Sequence, residues 1–177
     1  MGKILPGNLR LIVLKGIKRS AIKRDLKFFI IPWVLTMTLA LVVAMWEFAG
    51  GGDPQLTLST SAVIGLALMI SGFPIPLVAV GTLKRSYSAT LLIRDDHQLV
   101  QHGIFSNVRH PLYTGTIMVL LGMPLCLSSL YGFAVMLLVV PLFLKRIRME
   151  EGLLMEEFGA EYKRYMERSH KLIPFVY

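Results

Sequence analysis

The run NVRHPLYTG, Asn107–Gly115, sets Asn107, Arg109, His110, Tyr113 and Thr114 at the mouth of an apolar stretch that continues to about Ser128. Proline is favourable at a first helical position, because its missing N–H would be unpaired there anyway. His110 is pushed out of helical geometry by the proline that follows it. Arg109 and His110 therefore sit on a fixed turn before a helix N-terminus, where free N–H groups and the macrodipole favour anions. Arg109 by itself would be an interfacial anchor. Together with Asn107, His110 and Tyr113 it reads as a site.

A second polar group follows in RIRMEEGLLMEEF. Glu150 and Glu151 are adjacent, so they point ~100° apart around a helix. One can face a ligand while the other faces water or Arg146, four residues before Glu150. Glu156 and Glu157 read as solvated. Carboxylates at a membrane mouth, opposite arginine and histidine, suit a cationic ligand. No His/Cys/Asp cluster has metal-ligand spacing, so no metal site is expected, and the single Cys126 excludes an intrachain disulfide.

The elements that must position these residues are apolar. Of the 177 residues, 54% are hydrophobic, and a bilayer-spanning helix needs ~20 of them in a row. Phe28–Phe48 and Leu58–Gly81 qualify. Pro111 to about Ser128 and Leu130–Leu144 form a shorter second pair joined by SLYG. The reading is an all-α integral membrane protein, one domain over residues 1–177, with about four transmembrane helices. The basic segment 1–27 carries Leu11, Leu14, Ile17, Ala21 and Ile22 near one helical face, as an amphipathic helix lying in the interface would. The prolines and glycine of SGFPIP, Ser71–Pro76, should kink or break the second span, and Pro141 raises the same expectation for the fourth. After the fourth span a helical segment leaves the membrane, is interrupted near Gly159 and resumes through Tyr162 and Tyr165.

The formal net charge of +8 is unevenly spread. Eight lysines and arginines precede the first span, whereas the loop after it offers only Asp53. Lys84, Arg85, Arg94 and Arg109 follow the second span, and Lys145, Arg146 and Arg148 follow the fourth. By the positive-inside rule both termini and the polar clusters face the cytoplasm. The basic balance reads as topology and anionic-lipid contact. Nucleic acid is a poor partner, since no basic-aromatic interleaving accompanies the charge.

LVQHGIFSNVRHPLYTG, followed after two spans by RMEEGLLMEEFGAEYKRYMERSHKLIP, closely resembles the isoprenylcysteine carboxyl methyltransferase family, which shares its catalytic core with the membrane phospholipid N-methyltransferases. The resemblance runs from about Leu83 to Pro174. It implies an S-adenosylmethionine-dependent methyltransferase whose cofactor-binding catalytic core is 82–177, behind two N-terminal spans at 28–81. Carried over by position, Leu99, Val100, Gly103 and Ile104 would present backbone to the cofactor. His110 and Tyr113 would contact it, Glu150 or Glu151 matches the acidic pair, and Arg109, with Asn107 beside it, would lie near the methyl acceptor. Tyr87 stands where the family often has tryptophan. Lys171 replaces an arginine before the last proline, which keeps the charge but loses the planar fork.

The residue types fit that chemistry. A carboxylate pairs with an ammonium, and an aromatic face stabilises a cation. The favoured acceptor is the carboxylate of a prenylated cysteine or a similar lipidic acid, which needs orientation and no general base. Phospholipid N-methylation is the alternative, with His110 or a glutamate as the base. A non-enzymatic scaffold whose basic arm binds anionic lipid is the remaining class. The topology has its own test: Ser20→Cys should resist a membrane-impermeant thiol reagent added outside, and Thr57→Cys should react. Labelling of Ser20→Cys from the outer side would reverse the orientation.

Overall fold

A computed structural model describes residues 26–50, 59–83 and 99–173. A π-helical turn, Leu26–Ile30, leads into α1, Ile31–Gly50. α2 is Thr60–Gly72 and α3 is Pro74–Leu83. A 3₁₀ turn, Gly103–Ser106, precedes α4, Pro111–Cys126. α5 is Leu130–Met136, α6 is Val139–Phe158 and α7 is Ala160–Arg168. Among the described residues there is no strand, only an isolated parallel bridge between Val108 and His170.

Among the described residues, three helical passages are long and apolar enough to cross a bilayer: Lys27–Gly50, Thr60–Leu83 and Leu130–Phe158. Pro111–Cys126 is a shorter apolar helix. At SGFPIP the second passage is broken: α2 ends at Gly72 and α3 starts at Pro74, while Phe73 between them keeps helical backbone angles and its N–H bonds the Met69 carbonyl at 2.9 Å. Pro141 acts likewise. Its ring crowds the carbonyl four residues earlier, and the helix is interrupted at Leu137 and Leu138 before α6 resumes. The fourth passage runs on past Leu144, where the apolar span was expected to end, into the helical segment expected to leave the membrane. No strong breaker lies between Leu144 and Gly159, so one helix carries the chain from the apolar segment through Glu150 and Glu151. Gly159, at φ +49, then turns it into α7. The N-terminal arm to residue 25, Asp53, Thr57, Tyr87, Arg94 and Pro174 lie outside the described residues.

Helix starts follow local chemistry. The Ser59 hydroxyl accepts from Ala62 N at 3.2 Å and the Ser129 hydroxyl from Gly132 N at 2.9 Å, each satisfying an orphan donor of the first turn. The Glu47 carboxylate also reaches the Ser129 hydroxyl, tying the end of α1 to the start of α5. A core of Ala40, Leu120, Met136, Val139 and Phe143 forms where α1, α4, α5 and α6 meet, with Phe29, Trp33 and Tyr113 packed against it. The outward side chains of α1 to α3, among them Leu35, Trp46, Ile70 and Leu77, are exposed apolar groups, as a lipid-facing surface requires.

α2 and α4 approach through two glycine pairs. A Cβ on Gly65 would stand 2.4 Å from Cys126 N and 2.6 Å from the Gly122 carbonyl, and one on Gly115 would stand 2.4 Å from Pro76 Cδ and 2.6 Å from the Gly72 carbonyl. Small residues let membrane helices pack backbone to backbone. These contacts hold α4 against the second passage and so fix where the turn before Pro111 lies. Gly65→Ala should therefore destabilise the protein by about 1–3 kcal/mol, and Gly65→Leu by more. Thermal unfolding in detergent measures both, and an unchanged midpoint for Gly65→Leu would refute the close approach.

Candidate active site

The 3₁₀ turn begins at Gly103, whose φ of +61 suits glycine and whose absent side chain leaves room for Thr82 of α3. The next segment is fastened to the chain's far end. His170 N bonds the Asn107 carbonyl at 2.8 Å, Arg109 N the His170 carbonyl at 2.8 Å, and His110 N the Lys171 carbonyl at 3.1 Å. The Thr114 hydroxyl donates to the Leu172 carbonyl at 2.8 Å. The Tyr165 hydroxyl of α7 donates to the Phe105 carbonyl at 2.6 Å. The RHP turn thus lies beside the segment that follows α7, although some sixty residues separate them in sequence.

Side chains complete the union. The buried Glu151 carboxylate receives Arg109 Nε at Oε1, 3.2 Å, and Lys171 Nζ at Oε2, 3.1 Å. His110 Nε2 stands 3.5 Å from Oε1, an ion-pair distance too long for a good hydrogen bond. Arg109 Nη1 also donates to the Met166 carbonyl at 3.1 Å and to the Ser169 carbonyl and hydroxyl. Two of the three guanidinium nitrogens are thereby anchored, and Nη2 has no hydrogen-bond partner among the described residues.

Glu150 belongs to a different chain of contacts. Its Oε2 accepts from the Tyr113 hydroxyl at 2.8 Å, and that hydroxyl accepts from Arg146 Nε at 2.9 Å. The Arg146 guanidinium lies over the Phe29 ring, 4.3 Å from its centroid. Phe29 stacks with Trp33 and meets Phe143 edge-on, while Tyr113 stacks with His110 at 5.8 Å. The acidic pair is therefore divided as adjacent helical residues must be: Glu151 toward the cationic cluster, Glu150 toward open space.

That space is a cleft open to solvent. Leu83, Leu99, Val100, Phe105 and Leu154 supply apolar walls, and Arg109, His110, Glu150, Tyr162 and Tyr165 supply polar ones. Of the residues singled out in the sequence, Leu99, Val100, Arg109, His110 and Glu150 line it. Tyr113, Glu151 and Lys171 stand behind those walls, each bonded to or beside a lining residue. Gly103 and Ile104 form the turn beneath, and Asn107 has an exposed side chain. Leu83, Phe105, Leu154, Tyr162 and Tyr165 were not singled out as site residues. Leu154 was within reach, being four residues after Glu150 and so on the same helical face. Burial, with Arg109 and Arg168 acting in the opposite sense, leaves the Tyr165 phenol pushed up to about 12. Burial and then the Glu151 carboxylate push Tyr162 higher still, so both stay neutral at physiological pH. No group of three or more metal-binding side chains occurs among the described residues.

Comparison with known proteins returns a consistent set. The Isoprenylcysteine carboxyl methyltransferase (ICMT) family model matches residues 63–156, just over half of the chain. A rice protein (Oryza sativa subsp. indica) named "Probable protein-S-isoprenylcysteine O-methyltransferase" is 35% identical over 116 residues, covering 64% of this chain and 61% of its own length. The Saccharomyces cerevisiae protein-S-isoprenylcysteine O-methyltransferase is 33% identical over 125 residues, covering 69% of this chain and 52% of its own. Among solved structures, the eukaryotic intramembrane Ras methyltransferase ICMT superposes with a TM-score of 0.71 at 26% identity, covering 82% of this chain and 53% of that one. The chain thus spans about three fifths or less of these relatives' length. Family match, relatives and fold agree, and the chain belongs to the isoprenylcysteine carboxyl methyltransferase family.

Proposed function

We propose that this protein is an integral membrane methyltransferase that uses S-adenosylmethionine to methylate the carboxylate of a prenylated cysteine, with its site and both termini on the cytoplasmic side. The observation that carries the proposal is the cleft at the mouth of apolar helices, walled by Leu83, Leu99, Val100 and Leu154 and edged by Glu150 and an immobilised Arg109. Its apolar walls suit a nucleoside, and its carboxylate suits the ammonium of an amino-acid head. Bound there, S-adenosylmethionine would supply an electrophilic methyl group on a sulfonium.

The chain's own residues then have an orienting task. Glu150 spends Oε2 on Tyr113 and keeps Oε1 for the ligand's ammonium. Tyr113 and Arg146 hold that carboxylate in one direction. Arg109, fixed through Nε and Nη1, offers Nη2 to the acceptor carboxylate as a charge-assisted donor. The contact is a one-point one, from a guanidinium held still. The acceptor is ionised at neutral pH, so no residue has to remove a proton. Holding acceptor and methyl close and aligned supplies ~7–11 kcal/mol of the barrier reduction in favourable cases. The prenyl chain would reach the site from the bilayer, between helices.

Purified protein incubated with isotopically labelled cofactor should transfer methyl to a farnesylated cysteine analogue as a base-labile ester. Transfer to phosphatidylethanolamine instead would move the reading to N-methylation. No binding of S-adenosylhomocysteine would leave a scaffold.

Two further outcomes separate the roles within the cluster. Glu150→Gln should weaken S-adenosylhomocysteine binding by the value of a charge-assisted contact, about 1.5–3 kcal/mol, with the unfolding midpoint little changed. Glu151→Gln should destabilise the fold by about 3–5 kcal/mol, because it leaves buried cations without their carboxylate. Calorimetric titration and thermal unfolding read the two, and the opposite pattern would exchange the assignments. Arg109→Lys keeps the charge but cannot serve Glu151, the Met166 and Ser169 carbonyls and an acceptor together. Turnover should fall at least tenfold while cofactor affinity changes by less than threefold, and normal turnover would leave Arg109 as a structural tie.

A further inference from the structure

Among the described residues, three buried side-chain polar atoms make no hydrogen bond: Trp33 Nε1, His110 Nε2 and the Tyr162 hydroxyl. His110 Nε2 has at least the Glu151 carboxylate at ion-pair distance. The Tyr162 hydroxyl has nothing. The residue is 1% exposed, and a buried hydroxyl left without a partner is costly, so native structures rarely leave one. Tyr162 lines the cleft beside Arg109, His110 and Glu150.

Its neighbour shows the contrast. Tyr165, three residues on and in edge contact with the Tyr162 ring at 6.0 Å, spends its hydroxyl on the Phe105 carbonyl. The ring of Tyr162 is thus held by packing while its hydroxyl is kept in reserve. We infer that the Tyr162 hydroxyl is a ligand-facing donor that binds the carboxylate of a zwitterionic amino-acid head whose ammonium is held by Glu150. This rests on the cofactor reading above and extends it to the subsite that distinguishes the head group.

Three properties of the position support the inference. The hydroxyl remains protonated, because burial and the Glu151 carboxylate both oppose its ionisation, so it needs an acceptor. The nearby carboxylates do not meet that need, since neither Glu150 nor Glu151 makes a hydrogen bond to the Tyr162 hydroxyl. The cleft also holds both signs of charge, Glu150 against Arg109, as a zwitterion requires and a simple cation does not.

The test uses full-length protein in detergent, with S-adenosylhomocysteine and its decarboxylated analogue, which keeps the ammonium and lacks the carboxylate. Wild-type protein should bind the parent compound roughly tenfold or more tightly than the analogue, the value of a hydrogen bond to a charged group. Tyr162→Phe keeps the ring and removes the hydroxyl. It should lose about that factor for S-adenosylhomocysteine and nothing for the analogue, with an unchanged unfolding midpoint. Wild-type affinity for both ligands in Tyr162→Phe, or an equal loss for both, would overturn the assignment while leaving the cofactor reading intact. If wild-type protein binds neither ligand, the cofactor reading itself fails and the inference goes with it.

Discussion

One carboxylate joins three separate parts of the chain. Glu151, near the end of a 29-residue helical passage, takes Arg109 from the turn before α4 and Lys171 from the segment after α7, with His110 alongside. A buried ion cluster is not a simple gain, because stripping water from the charges costs several kcal/mol per ion and only good geometry offsets it. Its stronger effect is specification. Any other register between the turn and the tail would leave Glu151, Arg109 or Lys171 buried without an opposite charge. The parallel backbone bonds from Asn107 to His110 repeat the same register at the level of the main chain. The cleft is a consequence, because α7 and the turn form two of its walls and are held together by this junction.

The first helix reaches the same region by another route. Arg146 lies between the Phe29 ring and the Tyr113 hydroxyl, and Tyr113 passes the contact on to Glu150. A cation on an aromatic face is worth ~2 kcal/mol or more when desolvated, and Phe29 is itself fixed against Trp33 and Phe143. The orientation of Glu150 therefore depends on the start of α1 as well as on its own helix. Two networks meet at adjacent glutamates without sharing one: one aligns the tail, the other aims a carboxylate into the cleft.

Much of this arrangement was legible in the sequence, and the illegible part has definite physical reasons. Pro111 marked a helix start, Gly159 a helix end and SGFPIP a break, because glycine and proline act on the backbone wherever they stand. Leu144 marked the end of the apolar composition and not of the helix, since polarity ends an apolar face and nothing until Gly159 stops the hydrogen-bond ladder. The acidic pair was visible, yet which member faced the cleft depended on the helix's rotation about its axis, which tertiary contacts set. The anchoring of Arg109 by the Met166 and Ser169 carbonyls left no trace, since every residue type carries a carbonyl. Tyr162 and Tyr165 looked equivalent on an amphipathic helix. Only the position of the Phe105 carbonyl separates the hydroxyl that is used from the one that is free.

Helix length explains how water-soluble chemistry stands next to lipid. At 1.5 Å per residue, the passage Leu130–Phe158 is roughly 43 Å long, against a hydrocarbon core of ~30 Å. Its excess cannot be buried in lipid, and the residues there, Lys145 to Glu157, are the charged ones. The shorter Pro111–Cys126 ends its apolar run at a proline whose preceding turn is polar, so α4 begins near the level where the charged part of α6 lies. Close glycine packing between α2 and α4 and the core between α4 and α6 fix these levels relative to one another. The polar ends meet beside apolar helices whose outer faces are lipid-facing. On the proposed function, an amphiphile with an acidic end would keep its tail in the bilayer while its carboxylate reached Arg109, and a polar cofactor would enter from the aqueous side without crossing any lipid.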